Sequence, residues 1–203
     1  MQGLPYPIGS LHVDFAELRT EADKPYLFVA VDRPSKVAIA ELPPAATQAT
    51  AAGFPRRVLA QLPCQVPKVR PDNGGQFGNM PHHVPCARHV FDPVCDEHGI
   101  EHRFAKPAHP WTNGPAERLN RTLKEASVKV CHYATAEALN AHWQAFLRVY
   151  LFTKRLKTLK GLTPHEFVCA EWRKNPSIFP RDPTQHPLGL YTQGGRTGPP
   201  AGY

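Results

Sequence analysis

Three short apolar runs in the first 42 residues limit the fold more than anything else in this chain. LHVDFAEL at 11–18, PYLFVAVD at 25–32 and KVAIAEL at 36–42 are separated only by the polar turn Arg19–Lys24 and by Arg33-Pro34-Ser35. Runs joined this closely pair as antiparallel strands, so the segment predicts a three-strand meander. In the first run Leu11, Val13 and Phe15 alternate with His12, Asp14 and Ala16, the period of a strand with two different faces. Asp14 is then a polar residue on a strand, the pattern of an edge or turn aspartate unless it has chemistry to do.

The remaining elements follow from caps and periodicity. The alanine-rich stretch 44–62 reads as a helix. Gly53 and Pro55 interrupt it, and a proline in a helix interior costs about 3 kcal/mol, so a kink or two short helices are expected. A strand over 65–70 leads into Pro71-Asp72-Asn73-Gly74, a tight turn. Residues 89–98 form a helix that Gly99 stops, and 100–104 a further strand. A helix begins at Pro115 and runs to about His132. Thr135 caps a second long helix to about Leu156, with Ala138, Leu139, Trp143, Phe146, Leu147, Tyr150 and Leu151 as its apolar face. Thr163-Pro164 opens a short helix to about Trp172. This order predicts four segments: a leader at 1–10, a core at 11–133, a helical extension at 134–174, and an extended or disordered tail at 175–203.

Composition narrows the function classes. Lys and Arg number 24 against 17 Asp and Glu, a net charge of +7 that favours polyanionic partners. No apolar run is long enough to span a membrane and no signal pattern opens the chain, so a cytoplasmic protein is expected. The five cysteines include no C-x-x-C pair, which argues against a disulfide framework. His82, His83, Cys86, His89, Cys95 and His98 crowd one region. Their spacing fits no standard zinc module, and a His-rich loop followed by an ordinary helix is expected.

The stretch 109–124, HPWTNGPAERLNRTLK, carries the clearest chemistry. Asn113 or Gly114 suits an N-cap and Pro115 the first turn. Ala116, Leu119, Leu123, Ala126 and Val130 make the buried stripe, and Glu117, Arg121 and Lys124 share another face. Taken alone, Glu117 could simply complement the helix dipole. Asp32, beside Arg33-Pro34, suits a turn-forming role.

Three strands, helix, strand, helix, strand and long helix is the order of an RNase H-like α/β fold: a mixed five-stranded sheet, an antiparallel meander plus parallel strands, flanked by helices. In that fold the first and fourth strands are neighbours, so Asp14 and the strand-end Asp72 come together, and the helix that starts at Glu117 packs nearby. Three carboxylates on rigid elements suit Mg²⁺ or Mn²⁺. Two such ions can serve an in-line displacement at phosphorus.

HVDFAEL, PDNGGQF and HPWTNGPAERLNRTLKE, in this order, resemble the catalytic core of DDE-type transposases and retroviral integrases. More narrowly, YLFVAVDRPSK, the stretch from Cys95 through HPWTNGPAERLNRTLKEASVK, and TKRLKTLKGLTPHEF resemble bacterial insertion-sequence transposases. The resemblance covers roughly residues 10–190. It implies Asp14, Asp72 and Glu117 as catalytic and metal-binding residues holding two Mg²⁺ or Mn²⁺ ions. It also implies DNA strand cleavage and transfer at mobile-element ends, multimers assembled on DNA, and a bacterial, nucleoid-associated location. Asn113, Arg118, Arg121, Lys124, Lys154, Arg155 and Lys157 are the expected DNA contacts, salt-sensitive and largely sequence-neutral.

The chain departs from the family in several places. No helix-turn-helix region precedes the first strand, which gives the expectation of an N-terminal truncation. Pro71 stands where a Thr is expected, and Pro67 falls in the same strand, where a proline would remove a ladder hydrogen bond. Between Asp72 and Glu117 lie 44 residues, more than the retroviral spacing. These departures predict a degenerate, poorly active copy. Two further readings stay open: a non-catalytic DNA-binding remnant, and an RNase H-like nuclease that hydrolyses without joining. A zinc-binding regulator built on 82–98 is a more distant reading.

Overall fold

The computed structural model describes residues 6–18, 20–22, 24–43, 48–71, 87–102, 133–185 and 188. Strands β1 (Ser10–Glu17), β2 (Tyr26–Asp32) and β3 (Ala38–Glu41) form the expected meander. Helix α1 (Gln48–Gln61) leads to β4 (Lys68–Pro71), α2 (Ala87–His98) and the short β5 (Glu101–His102). Helices α3 (Ala136–Phe152) and α4 (Pro164–Lys174) follow, with 3-10 turns at Lys157–Leu159 and Pro176–Ile178. The sheet has five strands in the order β3-β2-β1-β4-β5. β1 runs antiparallel to β2 and parallel to β4, and β4 runs parallel to β5. This is the RNase H-like α/β arrangement.

β1 is therefore a central strand, not an edge. Leu11, His12 and Val13 are all buried, so the expected two-faced alternation is absent there. Elements on both faces of the sheet cover β1 and β2, and central strands of such sheets read as continuous buried runs. β2 is buried along its whole length.

Of the expected kink or two short helices, the second is corrected: α1 is one helix through Gly53 and Pro55. Phe54, Pro55 and Val58 are buried, and Phe54 meets Phe28 of β2 edge to face at 5.5 Å. Packing on both sides of the proline offsets the missing intrahelical bond. The two prolines expected to weaken β4 also find tolerable places. Pro67 precedes the strand, its carbonyl accepting from the Glu101 N–H at 3.0 Å, and Pro71 is the last paired residue. Gly99 stops α2 as expected, at φ +63°, the left-handed region a glycine adopts without strain.

Thr135 caps α3 by accepting from the Ala138 N–H at 3.3 Å. Leu139, Trp143, Leu147, Tyr150 and Leu151 are buried as the stripe predicts, whereas Ala138 is exposed. Tyr150 donates to the Lys36 carbonyl at 3.1 Å and Gln144 to that of Ala40 at 3.3 Å, tying α3 to β3 and the turn before it. The helix ends at Phe152, four residues earlier than expected. Leu156 bridges to Leu162 instead, closing a compact turn through Lys160 in the left-handed conformation. Thr163 and Glu166 form a reciprocal capping box on α4, at 3.1 and 2.9 Å. After α4 comes a 3-10 turn at Pro176–Ile178, not a simple extended run, and Phe179 and Leu188 enter the same core as the sheet. The expected helix 115–132 and the expected disorder of 194–203 lie outside the described residues.

Asp32 takes the turn-forming role expected of it. Its carboxylate accepts from the Gly9 N–H at 2.9 Å, from the Ser35 N–H at 3.1 Å and from the Ser35 hydroxyl. Complete burial pushes its pKa up from 3.8 to about 6, against the lowering effect of these bonds. A pKa raised in the native state favours the protonated native form. The resulting stability is full below about pH 4 and is lost as pH rises through about 6, on the order of 3 kcal/mol. Unfolding free energies of the wild type and Asp32→Asn should therefore diverge with pH, the wild type losing ground to the variant between pH 4 and 7. A difference independent of pH would show that the carboxyl titrates normally.

Candidate active site

Asp14 is the fifth residue of β1 and is half-buried. It pairs with Val29 across the antiparallel side. On the parallel side the ladder runs Ser10↔Lys68, Leu11↔Val69, His12↔Arg70 and Val13↔Pro71. The residue before Asp14 is thus paired with the residue before Asp72. Asp72 itself lies outside the described residues, as do Glu117, Asn113, Arg118, Arg121 and Lys124. Of the three expected ligands the structure describes Asp14 alone, on a central strand with β4 beside it in parallel register.

The basic segment after α3 divides. Arg155 places its two terminal nitrogens 3.3 Å from the two oxygens of Glu166 and donates to the Gly161 carbonyl at 2.9 Å. Its guanidinium holds the turn between α3 and α4. Lys154 and Lys157 are exposed, as are Arg148 and Lys160. Arg148, Lys154, Lys157 and Lys160 are exposed cations that a polyanion can reach.

Among the described residues no three His, Cys, Asp or Glu side chains converge on a metal position. His82, His83 and Cys86 lie outside the described residues, and His89 is placed only as part of α2. Cys95 is buried, with burial pushing its thiol up to about 11, and Cys64 is pushed up to about 12 for the same reason. Burial thus disfavours the thiolate form of both.

Arg70 escapes a search that follows carboxylates. It pairs with His12, which stands two residues before Asp14 and so shares its sheet face. Its place beside Asp14 arises only from the pairing of β1 with β4, which no local pattern in the sequence announces.

The integrase core domain family matches this chain by its sequence model over residues 5–110, and a second integrase core domain model matches 98–164. The uncharacterized protein K02A2.6 of Caenorhabditis elegans is 28% identical over 180 residues, covering 80% of this chain and 12% of that protein. The retrovirus-related Pol polyprotein from transposon TNT 1-94 of Nicotiana tabacum is 38% identical over 58 residues, covering 29% of this chain and 4% of that protein. The chain thus spans a small part of the curated relatives it matches. The crystal structure of the catalytic core domain of BIV integrase superposes with a TM-score of 0.54 at 25% identity, covering 82% of this chain and 97% of that one. The sequence model covers more than half of the chain and the fold superposes on an integrase catalytic core, and the chain belongs to the integrase core domain family.

Proposed function

We propose that this chain is the catalytic core of a DNA-integrating polynucleotidyl transferase acting at the ends of a mobile element, with Asp14, Asp72 and Glu117 as its metal-binding residues. The observation that carries the reading is the parallel pairing of Val13 with Pro71, one residue before each aspartate. The donor set is chemically apt: Asp14 offers a hard carboxylate oxygen from a rigid central strand, and its half-burial leaves it approachable. Asp72 and Glu117 would add two more carboxylates. When bound, Mg²⁺ or Mn²⁺ supplies charge stabilisation at the reacting phosphate and activates the attacking oxygen.

The chain's own residues do the rest. β1 holds Asp14 on rigid backbone and β4 is paired with it as far as Pro71, so little reorganisation of these two strands is needed when DNA arrives. Asn113, Arg118, Arg121, Lys124, Lys154 and Lys157 hold backbone phosphates, and Arg155 keeps the turn that presents the last two. A second copy of the chain on the paired DNA end completes the assembly.

The test is a joining assay with pre-cleaved ends of the element that encodes the chain and a plasmid target. Joined products should form in Mg²⁺ or Mn²⁺ and vanish with EDTA. Cleavage without joining would replace this reading with a hydrolytic nuclease. DNA binding with no product across a range of Mn²⁺ would replace it with a non-catalytic remnant.

A further inference from the structure

Two arginines share one aromatic ring at the start of the sheet. The Arg33 guanidinium carbon lies 3.7 Å from the centroid of the Tyr6 ring, and that of Arg70 lies 5.9 Å from it. Arg33 stands in the turn after β2, and Arg70 is on β4, paired with His12. Arg33 Nη1 and Arg70 Nε are both buried without a hydrogen-bond partner. Acids close by in the fold are engaged elsewhere. Asp32 gives its oxygens to Gly9 and Ser35, and Glu101 pairs with Lys68 at 2.9 Å. Among the described residues neither arginine has a carboxylate partner.

A guanidinium cannot shed its proton, and each buried N–H left unpaired is unfavourable. The Tyr6 ring attracts the charges but accepts none of these in-plane N–H groups. Two like charges at one ring with donors to spare are an incomplete arrangement. A tetrahedral oxyanion completes it, because guanidinium forks match phosphate geometry. His12 is two residues from Asp14 on β1, so Arg70 projects from Asp14's face of the sheet about 7 Å along the strand. That is within two nucleotide rises of a DNA strand.

We propose that Arg33 and Arg70, stacked on Tyr6, form a phosphate-binding site for a backbone phosphate of the DNA handled at Asp14. The inference rests on the DNA-acting function given above and adds a specific anchor to it. The site holds the strand and takes no part in bond making.

The experiment uses the full chain and its Arg33→Gln/Arg70→Gln double variant. Probes are a mixed-sequence 30-base-pair duplex and inorganic phosphate. The variant should bind the duplex roughly tenfold more weakly at 0.1 M salt, and its slope of log affinity against log salt should shrink by about one to two. Its melting temperature without DNA should hold or rise, because unpaired buried charge has been removed. Phosphate should raise the melting temperature of the wild type over chloride at equal ionic strength, and not that of the variant. An Arg33→Lys/Arg70→Lys variant should keep the salt slope but bind more weakly than wild type, and it serves if the glutamine pair fails to fold. Equal duplex affinity and slope in wild type and glutamine variant overturn the site. If phosphate still stabilises the wild type in that case, the arginines hold an adventitious ion only. A fall in melting temperature with DNA affinity unchanged marks a structural stack and also overturns it. A wild type that does not bind the duplex removes the DNA-acting function along with the site, an outcome distinct from loss of the site alone.

Discussion

Asp72→Asn should lower the single-turnover rate of strand transfer by roughly 1,000-fold or more, with duplex affinity changed by less than about twofold. Asparagine keeps the shape of aspartate and removes the charge a divalent ion requires, so the fold has no reason to change. A lost carboxylate ligand removes several kcal/mol of stabilisation that is needed only where charge develops. On the proposed reading DNA is held by surface cations such as exposed Lys154 and Lys157, and the substitution leaves these untouched. Asp14→Asn should behave alike, and the double variant should be hardly worse than either single one, because ligands of one site act as a unit. The readouts are joined product per unit time in Mn²⁺ and fluorescence anisotropy with the same DNA. Activity within tenfold of wild type would remove Asp72 from the site. A parallel loss of binding would mean that the substitution had damaged the fold.

The meander was legible because three apolar runs sit too close together to pair any other way, and β1, β2 and β3 fall within them. Local signals also carried the caps: Thr135, Thr163 with Glu166, and Gly99 act within four residues of themselves. What depends on distant chain was not legible. The burial of His12 follows from β1 lying between β2 and β4 with both faces covered, which no window of β1 reveals. Pro55 reads as a break until Phe54 and Val58 are seen to be packed on either side of it. Among the proposed ligands, Asp14, Asp72 and Glu117 stand out in the sequence because strands disfavour aspartate and helix-start patterns select carboxylates. Arg33, Arg70 and Tyr6 do not, because they are separated by up to 64 positions in sequence and meet only in the fold. Likewise the early end of α3 follows from the Leu156–Leu162 bridge, a contact whose partner lies beyond the helix.

A chain ending at Lys174 should be less stable than the full chain by about 3–6 kcal/mol and should melt on the order of 10 °C lower. Composition marks 175–203 as a tail, yet Phe179 and Leu188 are buried in the core cluster shared with β1, β2 and α3. Each contributes about 1.5–3 kcal/mol by leaving water, against a total of about 5–15 kcal/mol for a domain. The backbone joins in. The Gln65 N–H donates to the Ile178 carbonyl at 2.8 Å, the Arg181 N–H to that of Pro63 at 3.4 Å, and the Arg181 side chain to that of Ala60. These contacts fasten the segment between α1 and β4, and β4 is the strand that runs into Asp72. Truncation should therefore weaken strand transfer by more than its stability cost explains, because the unanchored connection lets β4 shift against β1. A chain ending after residue 193 keeps Phe179 and Leu188 and should match the full chain in both respects. Phe179→Ala with Leu188→Ala in the full chain should reproduce most of the loss in urea unfolding and separate the apolar contribution from the backbone bonds. If the chain ending at Lys174 melts within a few degrees of the full chain, the docked segment rests on the core without stabilising it, and β4 is held by the sheet alone.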